Sequence, residues 1–469
     1  MDNQTLLLIF LIFSIFSYCV SDERLKIAII GSGIGGSNLA RLLLKEESYE
    51  IDMYEKSDRI GGRIDSQAYE DKVLDYGGLV FSDEQKLITG LAKELNLELE
   101  KLGDDNSSNQ IGIMGNDTLY FEMGKSNFYN LLKLGWKYGT SPFYFKSRLD
   151  DFKTKFDIIY KLLEDKTTFR NIEELMKILE LSNLVNITVS QLAKDLHLDE
   201  SYTTDAIQNV LYSIYTQKDM SAFSGLLILS QLSGEYYQIK GGNLQLVKTI
   251  LDKLKLLPRF NLILNEKVTH ISKHGTGKYS LHLGKSNMSK EYDLVILATP
   301  MSNSGISFSG SIEYLNRYAN VPIGISKYVS YIKGELNYDY FKTKSPPKIL
   351  MGMEKLMTAK IYAIFNFGDF HKIHSERKLD YKKVDGLNIF GKGFKIVKDY
   401  FWDFSCGKFD HILNFSDIPG YVIDTRLFYL SAHESITSSF EMSLISSENI
   451  ANLIFDMKPN NHDKLKQDF

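Results

Sequence analysis

The sequence predicts an α/β protein in which a Rossmann-type nucleotide-binding domain is interleaved with an α+β domain that receives a substrate. Three observations lead there. An apolar strand, residues 26–30, runs straight into a glycine-rich turn beginning at Gly31. An acidic residue, Glu55, closes the next strand. A second continuous apolar strand, residues 293–298, returns more than two hundred residues later, with the composition of a strand buried on both faces of a parallel sheet.

Residues 26–56 read as strand, helix, strand. The first strand is Lys-Ile-Ala-Ile-Ile, the helix runs through Leu39 to Lys45, and the second strand spans residues 49–54. The connection Gly31-Ser32-Gly33-Ile34-Gly35-Gly36 fits G-x-G-x-x-G in the context that pattern requires, directly after a strand and opening a helix. Gly31 permits the tight turn, Gly33 lets a pyrophosphate approach the backbone, and Gly36 lets helix and strand pack closely. The helix N-terminus then turns its unpaired N–H groups and positive dipole end toward the phosphates. A glycine-rich turn alone can be structural, but Glu55 lies 24 residues after Gly31, where a carboxylate accepts hydrogen bonds from an adenosine ribose. Just beyond it, Lys56, Gly61, Gly62 and Arg63 offer a second backbone loop and a guanidinium to a pyrophosphate. The competing reading of 55–63 is a hairpin with a surface arginine. Three further turns, 75–78, 240–243 and 298–300, are flexible enough to place backbone beside a bound ring system.

Bulk properties bound the remainder. At 469 residues, with 43% apolar and 24% charged residues, the chain is globular and holds two or three domains. A net charge of -4 and a pI near 6.2 give phosphate backbones nothing to attract, so nucleic acid is excluded as a partner. Residues 6–16 form a run of eleven, apolar apart from Ser14, too short to span a bilayer and placed as the core of a signal peptide. No later stretch is long enough to cross a membrane. Of the two cysteines, Cys19 falls within the leader, leaving Cys406 as a buried thiol. Five sequons, at Asn106, Asn116, Asn186, Asn287 and Asn414, mark surface asparagines that can carry glycan.

No repeat or low-complexity segment occurs. The expected organisation is a signal peptide at 1–21, a nucleotide-binding part at 22–125, a helical substrate domain at 126–235, a second nucleotide-binding part at 236–305, a substrate domain or cover at 306–420, and a C-terminal nucleotide-binding segment and tail at 421–469. Helical spacing of Leu131, Leu134, Phe145, Leu149, Phe152, Phe156 and Ile159 predicts one or two long amphipathic helices over 126–164. Helical pattern continues over 172–181, 189–196 and 203–232. No metal site is expected: His371 and His374 could share a helical face but have no further ligand at matching spacing. No G-x-S-x-G elbow is present either. The basic segment 382–398, interleaved with Phe390 and Phe394, is a solvated face or a point of peripheral contact with anionic lipid.

Six blocks carry a resemblance: KIAIIGSGIGGSNLA, IDMYEKSDRIGGRI, AFSGLLILSQLSG, IKGGN, YDLVILATP and LFYLSAHESITSSFEMSLISSENIANL. The continuation E-K-x-x-x-x-G-G-R looks like the flavin amine oxidase superfamily, and the combination is similar to the prenylcysteine oxidase family, also called prenylcysteine lyases, over nearly the whole mature chain. That resemblance implies an amine-oxidase-like flavoprotein fold in which a Rossmann-type FAD-binding domain is interleaved with an α+β substrate domain. It assigns Gly31, Ser32, Gly33, Ile34, Gly36, Glu55, Lys56, Gly61, Gly62 and Arg63 to FAD, Val268 to the strand that brackets adenine, and Glu441 with Met442 to the C-terminal block near the flavin. Many superfamily members have a G-D pair in that block, which this chain lacks.

The implied reaction is oxidative cleavage of S-prenyl-L-cysteine, farnesyl or geranylgeranyl, with water and O2 to cysteine, a prenyl aldehyde and hydrogen peroxide. The carbon between sulfur and the isoprenoid double bond is allylic and α to sulfur, so a cation left by hydride loss is stabilised from both sides and water can add to it. The flavin performs the difficult step while the protein binds and orients. An apolar tunnel follows, with walls expected from the aromatic-rich helices between Phe128 and Leu162 and from Tyr212, Tyr215, Phe223 and Leu226. No catalytic residue is assigned. The lysosome, in prenylated-protein degradation, is the compartment the resemblance implies. Two competing functions are an amine oxidase, for which Phe428-Tyr429 would supply an aromatic pair, and a non-catalytic lipid-binding flavoprotein.

Overall fold

The computed structural model describes residues 24–78, 80–101, 111–115, 118–123, 127–232, 234–319, 324–341, 348–351, 356, 358–412 and 414–457. The leader segment, Cys19, Asn106, Asn116 and the chain from 458 onward lie outside them.

The strand Leu25–Ile30 is central to a six-stranded sheet ordered Phe260–Ile263, Tyr49–Tyr54, Leu25–Ile30, Leu294–Leu297, Leu427–Tyr429, Val422–Asp424. The first five strands run parallel, with Ile29 opposite Met53 on one side and Ile296 on the other. As its unbroken apolar composition predicts, Leu294–Leu297 is buried along its length. The first turn of the crossover helix Ile34–Leu43 contains Gly36, where an added Cβ would lie 2.3 Å from the Gly31 carbonyl oxygen. Its other face meets the C-terminal helix Phe440–Phe455, to which buried Asn38 donates a 2.6 Å hydrogen bond at Ser447 Oγ. The nucleotide-binding layer is thus assembled from both ends and the middle of the chain.

A seven-stranded sheet forms the second layer, ordered Lys395–Gly407, Gly324–Lys333, Phe370–Ser375, Ile361–Asn366, Ile349–Met351, Ile111–Gly115, Thr118–Met123. Its last two strands come from the stretch assigned by sequence to the first nucleotide-binding part, so that part gives up residues 111–123 to the other sheet. Pairing, not sequence proximity, decides membership.

The helical region is more broken than its periodicity suggests. Residues 127–164 form three helices, Asn127–Tyr138, Ser141–Phe156 and Ile158–Glu164, the first ending at Gly139 with φ +64°. The stretch 203–232 begins as a π-helical segment, Thr203–Gln208, stops at left-handed Thr216 (φ 60°), and restarts where the Ser221 side chain caps Ala222–Gln231. Hydrophobic spacing at this resolution does not see a one-residue break.

Two dismissed features look different in three dimensions. His371 and His374 lie on the strand Phe370–Ser375, not a helix, so an odd separation sends them to opposite faces. Phe390 and Phe394 are buried in a core cluster with Ile332 and Phe341, which removes the aromatic residues that membrane contact at 382–398 would need. Cys406 is buried and free, its thiol pushed up to about 11 by burial, in line with an inert structural thiol. Among the described residues, no helix is long and apolar enough to cross a membrane. No group of metal ligands forms among them. Asn186, Asn287 and Asn414 are all exposed.

Candidate functional site

A cavity of about 480 Å³ lies between the two sheets, running from the glycine-rich turn to the inner face of the seven-stranded sheet. Its first end is the predicted cradle. Gly31, Ser32, Gly33, Ile34, Glu55, Lys56, Gly61, Gly62 and Arg63 all line it. Gly31 holds φ +118° and would push a Cβ to 2.7 Å from the Ala298 carbonyl oxygen, so the turn requires glycine. Gly33 differs: its φ is ordinary, an added Cβ would meet nothing closer than 3.9 Å, and that Cβ would occupy the cavity itself. The two glycine loops are joined by a Gly33–Gly61 bridge and by the Gly61 N–H donating to Ser32 O at 3.1 Å.

Glu55 ties this cradle together. Its Oε2 accepts from the backbone N–H and hydroxyl of Ser32 at 3.2 and 2.9 Å, and its Oε1 from those of Ser57 at 3.0 and 2.8 Å. A carboxylate offers about four acceptor directions, and all are used. Two belong to serine hydroxyls that can rotate away, so a ribose hydroxyl has places to enter without leaving the buried carboxylate unpaired.

Arg63 does not stand free toward a pyrophosphate. Its guanidinium pairs with Glu434, Nη1 to Oε2 at 3.1 Å with Nη2 on Oε1, and lies 5.5 Å from the Phe404 ring centroid. The neighbouring guanidinium holds the buried Glu434 carboxyl far below the ordinary range despite the opposing effect of burial. Sequence reasoning placed Arg63 at the site but could not see a partner 371 residues away.

The turn at 75–78 is clamped rather than flexible. Its successive carbonyls accept from Tyr331 Oη (3.0 Å), Trp402 Nε1 (2.9 Å), Lys372 Nζ (2.8 Å) and Asn243 Nδ2 (2.9 Å). Asn243 also donates its N–H to Asp75, so the loops 75–78 and 240–243 converge as one wall. Burial pushes the Asp75 carboxyl up and the Lys372 ammonium down, each opposed by the attraction of the other.

Beyond this wall the cavity becomes apolar, lined by Ile214, Ile228, Leu232, Ile349, Met351 and Phe365. Gln231, Tyr236, Lys327 and His374 bring polar groups to it. Lys327 and His374 point to the same side of the seven-stranded sheet, since His374 is opposite Val329 in register. Both line the cavity. His374 is buried, and neither ring nitrogen has a hydrogen-bond partner. Burial, with the nearby Lys327 and Lys372 charges, keeps it neutral. Burial also lowers the Lys327 ammonium, which pairs with no carboxylate among the described residues. Sequence reasoning missed both. The alternation of 324–333, which puts Lys327 in phase with Val329 and Tyr331, was the available signal.

Other expected residues lie away from the cavity. Glu441 is buried away from the cavity, accepting from the N–H groups of Leu87 (2.8 Å) and Ile88 (3.0 Å) at the start of the helix Lys86–Glu94, and from Tyr160 Oη at 2.8 Å. It caps a helix; Ser439, Phe440 and Ser443 from the same block reach the cavity instead. Val268 is buried in the main core and does not line the cavity. Of the expected tunnel walls only Tyr215 does so; Phe223 and Leu226 are core, and Tyr212 packs on Tyr362. No described side chain of the helices over 128–162 lines it. Phe428 and Tyr429 are adjacent on a buried strand, so their side chains diverge and cannot form a facing pair.

Comparison with known proteins follows this geometry. A family model described as prenylcysteine lyase matches residues 121–467, and one described as an NAD(P)-binding Rossmann-like domain matches residues 29–95. Prenylcysteine oxidase 1 of Homo sapiens is 26% identical, the match covering 94% of this chain and 91% of that protein. Farnesylcysteine lyase of Arabidopsis thaliana is 25% identical, with 92% and 88% covered. Among solved structures, cyclohexylamine oxidase from Brevibacterium oxydans IH-35A matches with a TM-score of 0.62 over 92% of this chain and 99% of that one, at 14% identity. Wild-type putrescine oxidase bound to putrescine matches with a TM-score of 0.59 at 15% identity. These two likenesses are of fold.

Two outcomes test the site. Replacing Glu441 by Gln is expected to lower stability by about 1–3 kcal/mol, because two helix N–H groups lose a charged acceptor, with dinucleotide binding unchanged; a thermal melt and a binding titration separate the two. The second concerns pH. His371, lowered by burial to about 4, and His374, also lowered by burial, are neutral in the fold, whereas the unfolded chain protonates them near 6.5. The unfolded state then binds more protons between pH 6.5 and 4, so stability falls with pH there by about 1.4 kcal/mol per unit for each histidine. Asp75, raised by burial to about 6, and Glu441 and Glu448, also raised by burial, oppose this. On acidification from pH 6.5 to 4 the melting temperature of His371→Phe should therefore fall less, relative to its value at pH 6.5, than that of the unsubstituted chain; parallel profiles would show His371 charged in the fold.

Proposed function

The chain belongs to the prenylcysteine lyase family, and on that premise we propose that it is an FAD-dependent oxidase cleaving S-prenyl-L-cysteine with water and O2 to free cysteine, a prenyl aldehyde and hydrogen peroxide. The observation that supports this reading most is the division of the cavity: a glycine cradle at one end, and at the other a largely apolar chamber that holds an unpaired ammonium and a neutral imidazole.

The cradle fits FAD. Gly33 leaves open the space a side chain would fill, Glu55 would hold the ribose in exchange for its serine contacts, and the clamped turn at 75–78 would give the flavin a fixed edge. FAD, when bound, supplies the two-electron oxidation of the carbon between sulfur and the alkene, and its reoxidation by O2 yields peroxide. The chain's own residues do the selecting. Ile214, Ile228, Leu232, Ile349, Met351 and Phe365 shed water around the isoprenoid, a gain of about 0.8 kcal/mol per buried CH₂. Lys327 meets the cysteine carboxylate, the anion its own surroundings lack. His374, kept neutral, presents an acceptor to the α-ammonium.

The free Lys327 also weighs against a plain amine as substrate, since an ammonium would enter beside an uncompensated positive charge. The leader run at 6–16 and the exposed Asn186, Asn287 and Asn414 support entry to the secretory pathway and glycosylation, with the lysosome as working compartment.

Peroxide and free thiol should appear together from farnesylcysteine and not from benzylamine or a polyamine. Lys327→Met should raise KM for farnesylcysteine roughly tenfold or more, the loss of a charge-assisted hydrogen bond, yet leave farnesylcysteine methyl ester turnover little changed. Turnover of amines alone would sink the proposal, and equal losses on acid and ester would move Lys327 off the carboxylate.

A further inference from the structure

The helix Asn127–Tyr138 is apolar on both sides. Its inner side buries Tyr138 against Tyr202, packs Leu134 on the main core and buries Asn130. The opposite side carries Tyr129, Leu132, Lys133 and Trp136, at the i, i+3, i+4 and i+7 positions of one stripe. All four are exposed, Trp136 by 95%. Gly135 lets Phe143 of the next helix lie against this one, for an added Cβ would stand 2.7 Å from its ring. Phe143 and its neighbour Tyr144 are themselves exposed, so they extend the stripe into a patch.

Along the chain segment that forms the patch the charge has one sign. Between Met123 and Leu149 the sequence has five basic residues, Lys125, Lys133, Lys137, Lys146 and Arg148, and no acidic one, in a chain of net charge -4. Lys146 and Arg148 are held at its edge by Asp150 and Asp151, and Lys137 lies 3.9 Å from Asp205. Lys133 stands 4.9 Å over the Tyr129 ring with no acidic partner among the described residues.

We propose that this surface docks the protein on a bilayer bearing anionic headgroups, with Trp136, Leu132, Tyr129 and Phe143 in the interface and the lysines on the headgroups. Tryptophan and tyrosine favour the headgroup level because one end of each ring is apolar and the other polar. Lysines flanking an apolar stripe are drawn to anionic lipid, and their stems lie along apolar surface while the ammonium stays wet. A protein partner would need a complementary acidic surface; a second copy of this chain would bring its own lysines against these. The inference stands apart from the proposed activity and needs no bound cofactor.

The chain has two tryptophans, and Trp402 is buried, so interfacial insertion reports through Trp136 alone. The purified full chain should co-sediment with phosphatidylcholine vesicles containing phosphatidylserine, its tryptophan emission shifting to the blue, and bind far less to phosphatidylcholine alone. Leu132→Asp with Trp136→Ala should abolish binding, and Lys133→Glu with Lys146→Glu should weaken it roughly tenfold on anionic vesicles only. These side chains are exposed, so an unchanged thermal transition certifies the variants as folded. Absence of vesicle binding, or binding indifferent to the patch substitutions, overturns the proposal. So does self-association that Leu132→Asp disperses in a chain that ignores vesicles, which would assign the patch to a second copy.

Discussion

The buried ion pair between Arg63 and Glu434 is the contact on which the site depends. Glu434 is almost fully enclosed, with 2% of its side chain exposed, and a carboxylate so placed cannot remain ionised without a partner. The partner arrives from the loop after the second strand, and the Phe404 ring of the other sheet lies beside the same guanidinium. Ser438 and His433 complete the acid's surroundings from its own segment. Three stretches of chain, near 63, 404 and 434, therefore meet at one charge. Removing one member of such a pair costs about 3–5 kcal/mol, because the other is left buried and alone. The pair stabilises little against an apolar replacement, but it sets where the segments meet.

With the segments fixed, the remaining walls follow from satisfaction of backbone groups. Four successive carbonyls of the turn at 75–78 are each taken by a different side chain from a distant strand or loop. That turn is rigid because its acceptors are paired, not because its sequence is stiff; it contains Gly77 and Gly78. A fixed edge on one side and a Cβ-free cradle on the other leave a slot of defined width, which is how preorganised sites hold a planar cofactor. The apolar chamber behind it is where the inner faces of Gly324–Lys333, Phe370–Ser375 and Ile361–Asn366 would otherwise have closed as core. Lys327 and His374 stand in that chamber without partners, and buried polar groups without partners are costly enough to mark a place where a ligand completes them.

The cradle was legible in the sequence because its chemistry is local. Gly31, Gly33, Gly36 and Glu55 fall within one strand–turn–helix–strand unit, and each has a steric or hydrogen-bonding reason visible at short range. The partner of Arg63 and the true role of Glu441 were not legible, since both depend on contacts across more than three hundred residues. Glu441 was assigned by its place in a block, and its neighbours Ser439, Phe440 and Ser443 were the ones facing the cavity. The apolar end of the cavity was not legible for a related reason: hydrophobic spacing tells which residues are buried, not which burial encloses a void, so Phe223 and Leu226 read the same as Ile228 and Leu232. His371 and His374 were read at helical period, and a strand made them residents of opposite faces.

The central claim is that the cradle between Gly33 and Gly62 holds FAD. The most direct measurement is the identity and stoichiometry of flavin released by heat from the purified chain, beside a Gly33→Val variant whose added Cβ comes no nearer than 3.9 Å to its neighbours in the fold. The account predicts one FAD per wild-type chain, and a variant with the same melting transition when both are stripped of cofactor but no flavin after purification. A wild-type chain that never carries flavin, or a Gly33→Val chain that retains it fully, would contradict it.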